Sequence, residues 1–199
     1  MSGEAAPLNR VCVYCGSSNN ADPQLLADAA ELGRALAAEK LGLVYGGGGV
    51  GLMGACAQAA HDAGGQVLGI IPEFLVGRER PLSKVETIVV QNMHERKMMM
   101  YERSDGFVVL PGGIGTLEEI IELLSWRRLD LHAKPIVFYS PGGFWDPLFA
   151  LLRHIVDANL TPPDFLKTYR IAERVADIIP ALCGMPEPTT VAPETTEVA

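Results

Sequence analysis

The strongest constraint on the fold is an alternation of short apolar runs with longer amphipathic stretches, sustained from Val11 to Leu182. Val11–Cys15, Leu41–Tyr45, Gln66–Ile71, Val85–Val90, Phe107–Leu110 and Pro135–Tyr139 read as strands, with a short extended piece near Tyr169–Ile171. Most are apolar on consecutive rather than alternate residues, the pattern of strands covered on both faces. Helical stretches lie between them at Pro23–Lys40, Val50–Ala63, Met93–Arg103, Thr116–Leu129, Phe144–Ala158 and Glu173–Leu182. Asp22 before Pro23 suits a helix start: the carboxylate accepts from free N–H groups, and proline at the first turn needs no donor. The alternation predicts an α/β fold, a single-domain Rossmann-like doubly wound parallel sheet flanked by helices. Residues 10–183 are expected to form it, after a flexible N-terminus over 1–9. The stretch 184–199 is rich in Pro, Thr and Glu, lacks a core-forming pattern and is expected to be disordered.

A chain of 199 residues suffices for one substantial core. Its formal net charge of −8 argues against a broad nucleic-acid surface but leaves room for a small anion held by local donors. No apolar run has the length of a membrane span, and Met1–Asn9 lacks the blocks of a signal peptide, so a cytoplasmic location is expected. Cys12 and Cys15 form a C-x-x-C, yet both lie in the first strand. An offset of three puts them on opposite faces, which favours buried core residues over a metal or redox pair. No His/Cys/Asp cluster offers a metal site, and no cofactor is expected.

Ligands of doubly wound sheets sit beyond the carboxyl ends of the strands, at a switch point in strand order. Three glycine-containing loops fall at such ends: Gly16-Ser17-Ser18, Gly46 through Gly54, and Gly112-Gly113-Ile114-Gly115-Thr116. Glycine lets backbone N–H groups approach an anion closely, and a helix start adds its dipole. Gly16, Ser17, Gly47, Gly48 and Gly49 are therefore phosphate-loop candidates. Gly49 to Gly54 also match G-x-G-x-x-G, with Glu73 after the next strand as a ribose-binding acid. This keeps a nicotinamide-dinucleotide enzyme open, although the fingerprint follows the second strand. The third loop adds Thr116 and two carboxylates, Glu118 and Glu119, at the start of its helix. First-turn glutamates suit the helix dipole, which accounts for one of them. Their offset of one turns them about 100° apart around the helix, so they should have different roles. Met93-His94-Glu95-Arg96-Lys97 supplies the second candidate cluster. Arg96 suits bidentate binding of phosphate or carboxylate, and Lys97 supplies a point charge. His94 is a possible acid/base, and Met98-Met99-Met100 reads as packing.

Together these residues resemble the LOG ("Lonely guy") family of cytokinin riboside 5′-monophosphate phosphoribohydrolases. The likeness runs from about Arg10 to Leu182; Pro111 through Glu119 meet P-G-G-x-G-T-x-x-E, and Met93 through Lys97 meet M-H-x-R-K. The resemblance implies hydrolysis of an N6-substituted AMP, or AMP itself, to free base and ribose 5-phosphate. It implies Arg96 and Glu119 as the catalytic pair. It implies Glu79, Lys97, Gly112, Gly113, Ile114, Gly115, Thr116, Leu117, Glu118 and Ser125 as substrate-binding positions. Ser125 stands where plant members commonly carry Thr, and the hydroxyl is kept. A homodimer or larger homo-oligomer is implied as well. Glu119 would stabilise the positive sugar and orient or activate water, and the Gly113–Thr116 loop would hold the 5′-phosphate. Members have often been labelled lysine decarboxylases, but no pyridoxal-phosphate anchor pattern is present. A non-catalytic nucleotide carrier, similar to the molybdenum-cofactor carriers, is the competing reading.

Overall fold

The computed structural model describes residues 8–184. The expectations for residues 1–7 and for the tail from 185 lie outside the described residues. Seven strands form one parallel sheet: β1 (Arg10–Tyr14), β2 (Gly42–Tyr45), β3 (Val67–Pro72), β4 (Glu86–Val90), β5 (Gly106–Val109), β6 (Ile136–Tyr139) and β7 (Arg170–Ala172). The helices are α1 (Pro23–Ala38), α2 (Gly51–Asp62), α3 (Glu73–Glu79), α4 (Met93–Glu102), α5 (Ile114–Arg128), α6 (Asp146–Asp157) and α7 (Ile178–Cys183). Strand order is β4-β3-β2-β1-β5-β6-β7. The chain winds outward from β1 to β4, then returns to the other side of β1 for β5, which puts the switch point between β1 and β5.

Two apolar layers explain why the strands read as continuous runs. Val11 and Val13 face α1, α2 and α7, whereas Cys12 and Tyr14 face α4, α5 and α6. Cys15 lies in the first layer and Cys12 in the second, so the pair does straddle the sheet, and burial pushes both thiols up. Each fully buried Val, Leu, Ile or Phe of these layers contributes about 1.5–3 kcal/mol. Among the described residues no helix is long and apolar enough to cross a membrane.

Element ends depart from the sequence reading for local reasons. Asp22 caps α1 as expected, accepting from Gln24 N at 2.7 Å. Helix α6 begins at Asp146 rather than Phe144, with Pro147 in its first turn. The last helix was expected from Glu173, which would place Pro180 mid-helix, without an N–H and against a carbonyl one turn back. The chain instead makes a 3-10 turn at Val175–Asp177 and restarts at Ile178, so that Pro180 falls in the first turn of α7. Helix α3 was not expected at all. None of its residues is buried, so it left no apolar periodicity to read.

One contact between helices is set by a missing side chain. A Cβ at Gly33 of α1 would collide with the Cys56 carbonyl oxygen of α2 and lie 3.0 Å from Ala60 N. Both obstacles are backbone, so neither can rotate away. Gly33→Ala should cost about 1–3 kcal/mol of stability by urea unfolding. Gly77→Ala, in open space on α3, should be neutral or stabilising by up to about 1 kcal/mol. Equal effects at the two sites would show that α1 and α2 are not packed this closely.

Candidate active site

A cleft of about 280 Å³ opens beyond the carboxyl ends of β1, β2 and β5. Its walls are the β1 end and the loop after it, Gly46 after β2, Glu79 of α3, Arg96 and Met100 of α4, and the first turns of α5. The two central loops are tied together by Gly16 N donating to Pro111 O at 3.1 Å.

Arg96 is placed by the start of α4. Asn92 Oδ1 accepts from Glu95 N at 2.9 Å, and Glu95 Oε2 accepts from Gln91 N at 2.9 Å, a near capping box. Glu95 is thereby a structural member of the M-H-E-R-K motif, and His94 is exposed and outside the cleft. Arg96, one turn in, is buried and donates from Nη2 to Gly46 O, just after β2, at 2.9 Å. A Cβ at Gly46 would collide with that guanidinium. Nη2 lies 4.0 Å from Glu79 Oε2, and Nη1 lies 3.9 Å from Glu119 Oε1. One buried guanidinium thus stands between two carboxylates, one from α3 and one from α5. Burial pushes the Glu119 carboxyl from 4.5 up to about 7, against the pull of Arg96 and with the charges of Glu118 and Glu79 adding to the rise. Burial also raises Glu79, opposed by Arg96.

Helix α5 starts at Ile114, two residues earlier than expected, with Gly113 as N-cap and no side chain capping it. Glu118 and Glu119 are therefore in the second turn, so dipole stabilisation of a first turn does not account for them. They do point apart. Glu119 is buried in the cleft, while Glu118 is half exposed and binds Lys97 Nζ at 2.5 Å. The space beside Gly113 and Gly115 is empty of protein atoms, so the approach to the first turn of α5 is open.

The second glycine cluster is used differently. The N–H groups of Leu52 and Met53 donate to Gly16 O at 3.0 and 3.4 Å, and Gly51 N donates to Asn19 Oδ1 at 3.1 Å. The start of α2 is thus filled by the loop after β1. Gly51, at φ +60°, lies too close to Ser17 and Ser18 for any side chain. Gly47, Gly48 and Gly49 do not line the cleft, and Glu73 is exposed at the start of α3. Gly49 N donates to Glu79 O at 2.7 Å, and a Cβ at Gly48 would sit 3.1 Å from Glu79 Oε2. These glycines seat Glu79 and leave the dinucleotide fingerprint no free helix start.

Of the residues singled out in the sequence, the cleft gathers Gly16, Ser17, Glu79, Arg96, Gly113, Ile114, Gly115, Thr116 and Glu119. Others lie outside its wall. Gly112 packs under the Thr116 side chain, and Leu117 packs on the core. Lys97 is held by Glu118 and Glu122, and Ser125 is exposed farther along α5. Cys15 and Met100 were expected only as core packing, and Gly46 and Met53 only as members of the glycine loop after β2, yet all four line the cleft. Their only signal was position, at strand ends or one turn from a motif residue. Among the described residues no group of three or more His, Cys, Asp or Glu has the arrangement of a metal site.

Fold and cleft define a class first: a doubly wound α/β protein with a buried carboxylate–guanidinium cluster at its switch point. Within that class the chain belongs to the family described as "Possible lysine decarboxylase", whose sequence model matches residues 53–182. It is 47% identical over 155 residues to a protein of Oryza sativa subsp. japonica named a probable cytokinin riboside 5′-monophosphate phosphoribohydrolase, covering 77% of this chain and 68% of that one. It is 40% identical over 174 residues to an Arabidopsis thaliana protein named cytokinin riboside 5′-monophosphate phosphoribohydrolase, covering 87% and 76%. The LOG-family resemblance read from the two motifs is borne out. In fold, the chain is similar to the molybdenum cofactor carrier protein of Chlamydomonas reinhardtii, with a TM-score of 0.66 and 24% identity over 88% of this chain and 96% of that one. The family's description would call for a lysine able to hold pyridoxal phosphate. Among the residues lining the cleft there is no lysine, so this site does not fit that group.

Proposed function

We propose that the protein hydrolyses the N-glycosidic bond of N6-modified adenosine 5′-monophosphates, and AMP more slowly, to free base and ribose 5-phosphate. The observation that carries this reading is Arg96 buried between two carboxylates beside the open start of α5. The N–H groups of that start suit a 5′-phosphate, assisted by its dipole. The glycosidic bond then falls toward Glu119 and Arg96. Cleavage builds positive charge on the sugar and negative charge on the departing base. Glu119 holds its proton up to about pH 7 and so can hand it to the base. The guanidinium orients the same base or screens its charge. Glu118 and Lys97 brace α5 against α4, and the protein works as a homodimer or larger assembly in the cytoplasm. A non-catalytic carrier has no need of a proton-holding carboxylate set against a guanidinium.

The test is chromatographic detection of base and ribose 5-phosphate from a panel: N6-isopentenyladenosine monophosphate, AMP, GMP and CMP. Turnover should be fastest with the isopentenyl nucleotide. Nucleotide binding without any base release from the panel would overturn the reading in favour of a carrier.

A further inference from the structure

Glu79 holds a place that binding alone does not explain. It ends α3, a helix with no buried residue, and yet its own carboxylate is drawn inward against Arg96. Its Oε2 is buried and has no hydrogen-bond partner, and it lines the cleft. The Nε of Arg96, in the same wall, is also buried without a partner. The backbone fixes the glutamate on two sides: Gly49 N donates to its carbonyl, and Gly48 has no side chain where its carboxylate lies. A buried acceptor or donor without a partner costs stability. Two in one wall, with the backbone shaped around one of them, point to a ligand that completes them.

Resting on the hydrolase reading above, we infer that Glu79 is a second catalytic carboxylate, the ionised partner that receives a proton from the attacking water while Glu119 protonates the departing base. The C1′–N bond breaks with its electron pair going to the ring nitrogen, and the Glu119 proton neutralises the base. The water oxygen bonds to C1′ and gives up one proton to Glu79. The net reaction is nucleotide plus water to base plus ribose 5-phosphate, and the displaced proton returns to Glu119 through solvent before the next turnover. Arg96 lies between the two carboxylates, and a single positive charge cannot neutralise both, so one of them keeps a proton. Glu119 is the more deeply buried and holds it; Glu79, nearer solvent, gives it up first. The charged groups facing Glu79 are Arg96 from α4 and Glu119 from α5; Glu118 and Lys97 act on Glu119. This division of labour follows the logic of paired carboxylates in glycoside hydrolysis.

The experiment is the pH profile of kcat/KM with N6-isopentenyladenosine monophosphate for the wild type, Glu79→Gln and Glu79→Asp. The wild type should give a bell, its acidic limb set by Glu79 and its alkaline limb by Glu119. Glu79→Gln should lower kcat by about 10²-fold or more and abolish the acidic limb, with the alkaline limb in place. Glu79→Asp should restore that limb and part of the rate. A glutamine variant with raised KM, unchanged kcat and both limbs intact would overturn the proposal and leave Glu79 as a binding residue. A wild type that releases no base from any nucleotide would instead overturn the hydrolase reading, and this inference with it.

Discussion

Glu119→Gln is expected to lower base release by about 10²–10⁴-fold and, at the same time, to raise the stability of the fold above neutral pH. The activity loss follows from removing the group whose proton the departing base takes. The gain in stability follows from linkage. Folding raises the Glu119 carboxyl from 4.5 to about 7. Between those values the folded chain binds more protons than the unfolded one, so stability falls as pH rises. The favourable state is fully present below about pH 4.5 and is lost as pH passes about 7. The full difference is roughly 3 kcal/mol, which glutamine, being uncharged, does not incur. Wild type and variant should therefore melt close together at pH 5 and separate at pH 8, with the variant higher by about 6–12 °C. Parallel melting temperatures across that range would show that Glu119 is not held in a desolvated wall.

Arg96→Met should do the reverse. It removes the one positive charge between Glu79 and Glu119 and leaves two buried carboxylates facing each other. Removing one partner of a buried ion pair costs about 3–5 kcal/mol, and here the cost should appear at pH 8, where both carboxylates must ionise. At pH 5 Glu119 keeps its proton and the loss should be smaller. Turnover should fall by about 10²–10³-fold, the usual consequence of losing a preorganised donor. Destabilisation of equal size at both pH values would mean that Arg96 matters for packing rather than for the charges beside it. The two variants thus carry opposite pH signatures in stability, although both slow the reaction.

How much of this was legible beforehand varies with the physics involved. The sheet and its two layers were readable because burial on both faces leaves continuous apolar runs. Helices α6 and α7 start a few residues later than apolar periodicity predicts, because Pro147 and Pro180 lack an N–H and belong in a first turn. Helix α3 was invisible because it buries nothing, and with it the reason for Glu79 being in the site. The glycine clusters looked equivalent in sequence. In the fold, the start of α5 is open, while that of α2 is filled by Gly16 O and Asn19 Oδ1.

The sequence by itself determined the α/β class, the opposite faces of Cys12 and Cys15, the divergence of Glu118 from Glu119, and the membership read from two short motifs. Each depends on spacing along the chain or on residue type, which local geometry converts directly into direction. Only the tertiary structure decided which glycine loop stays free, that Lys97 is consumed by Glu118 and Glu122, and that Arg96 meets a carboxylate on either side. Those outcomes depend on the return of the chain from β4 to β5, which brings α3, α4 and α5 to one end of the sheet. The proton held by Glu119 near pH 7 is a property of that enclosure, since the same residue on an open helix would titrate as an ordinary carboxylate.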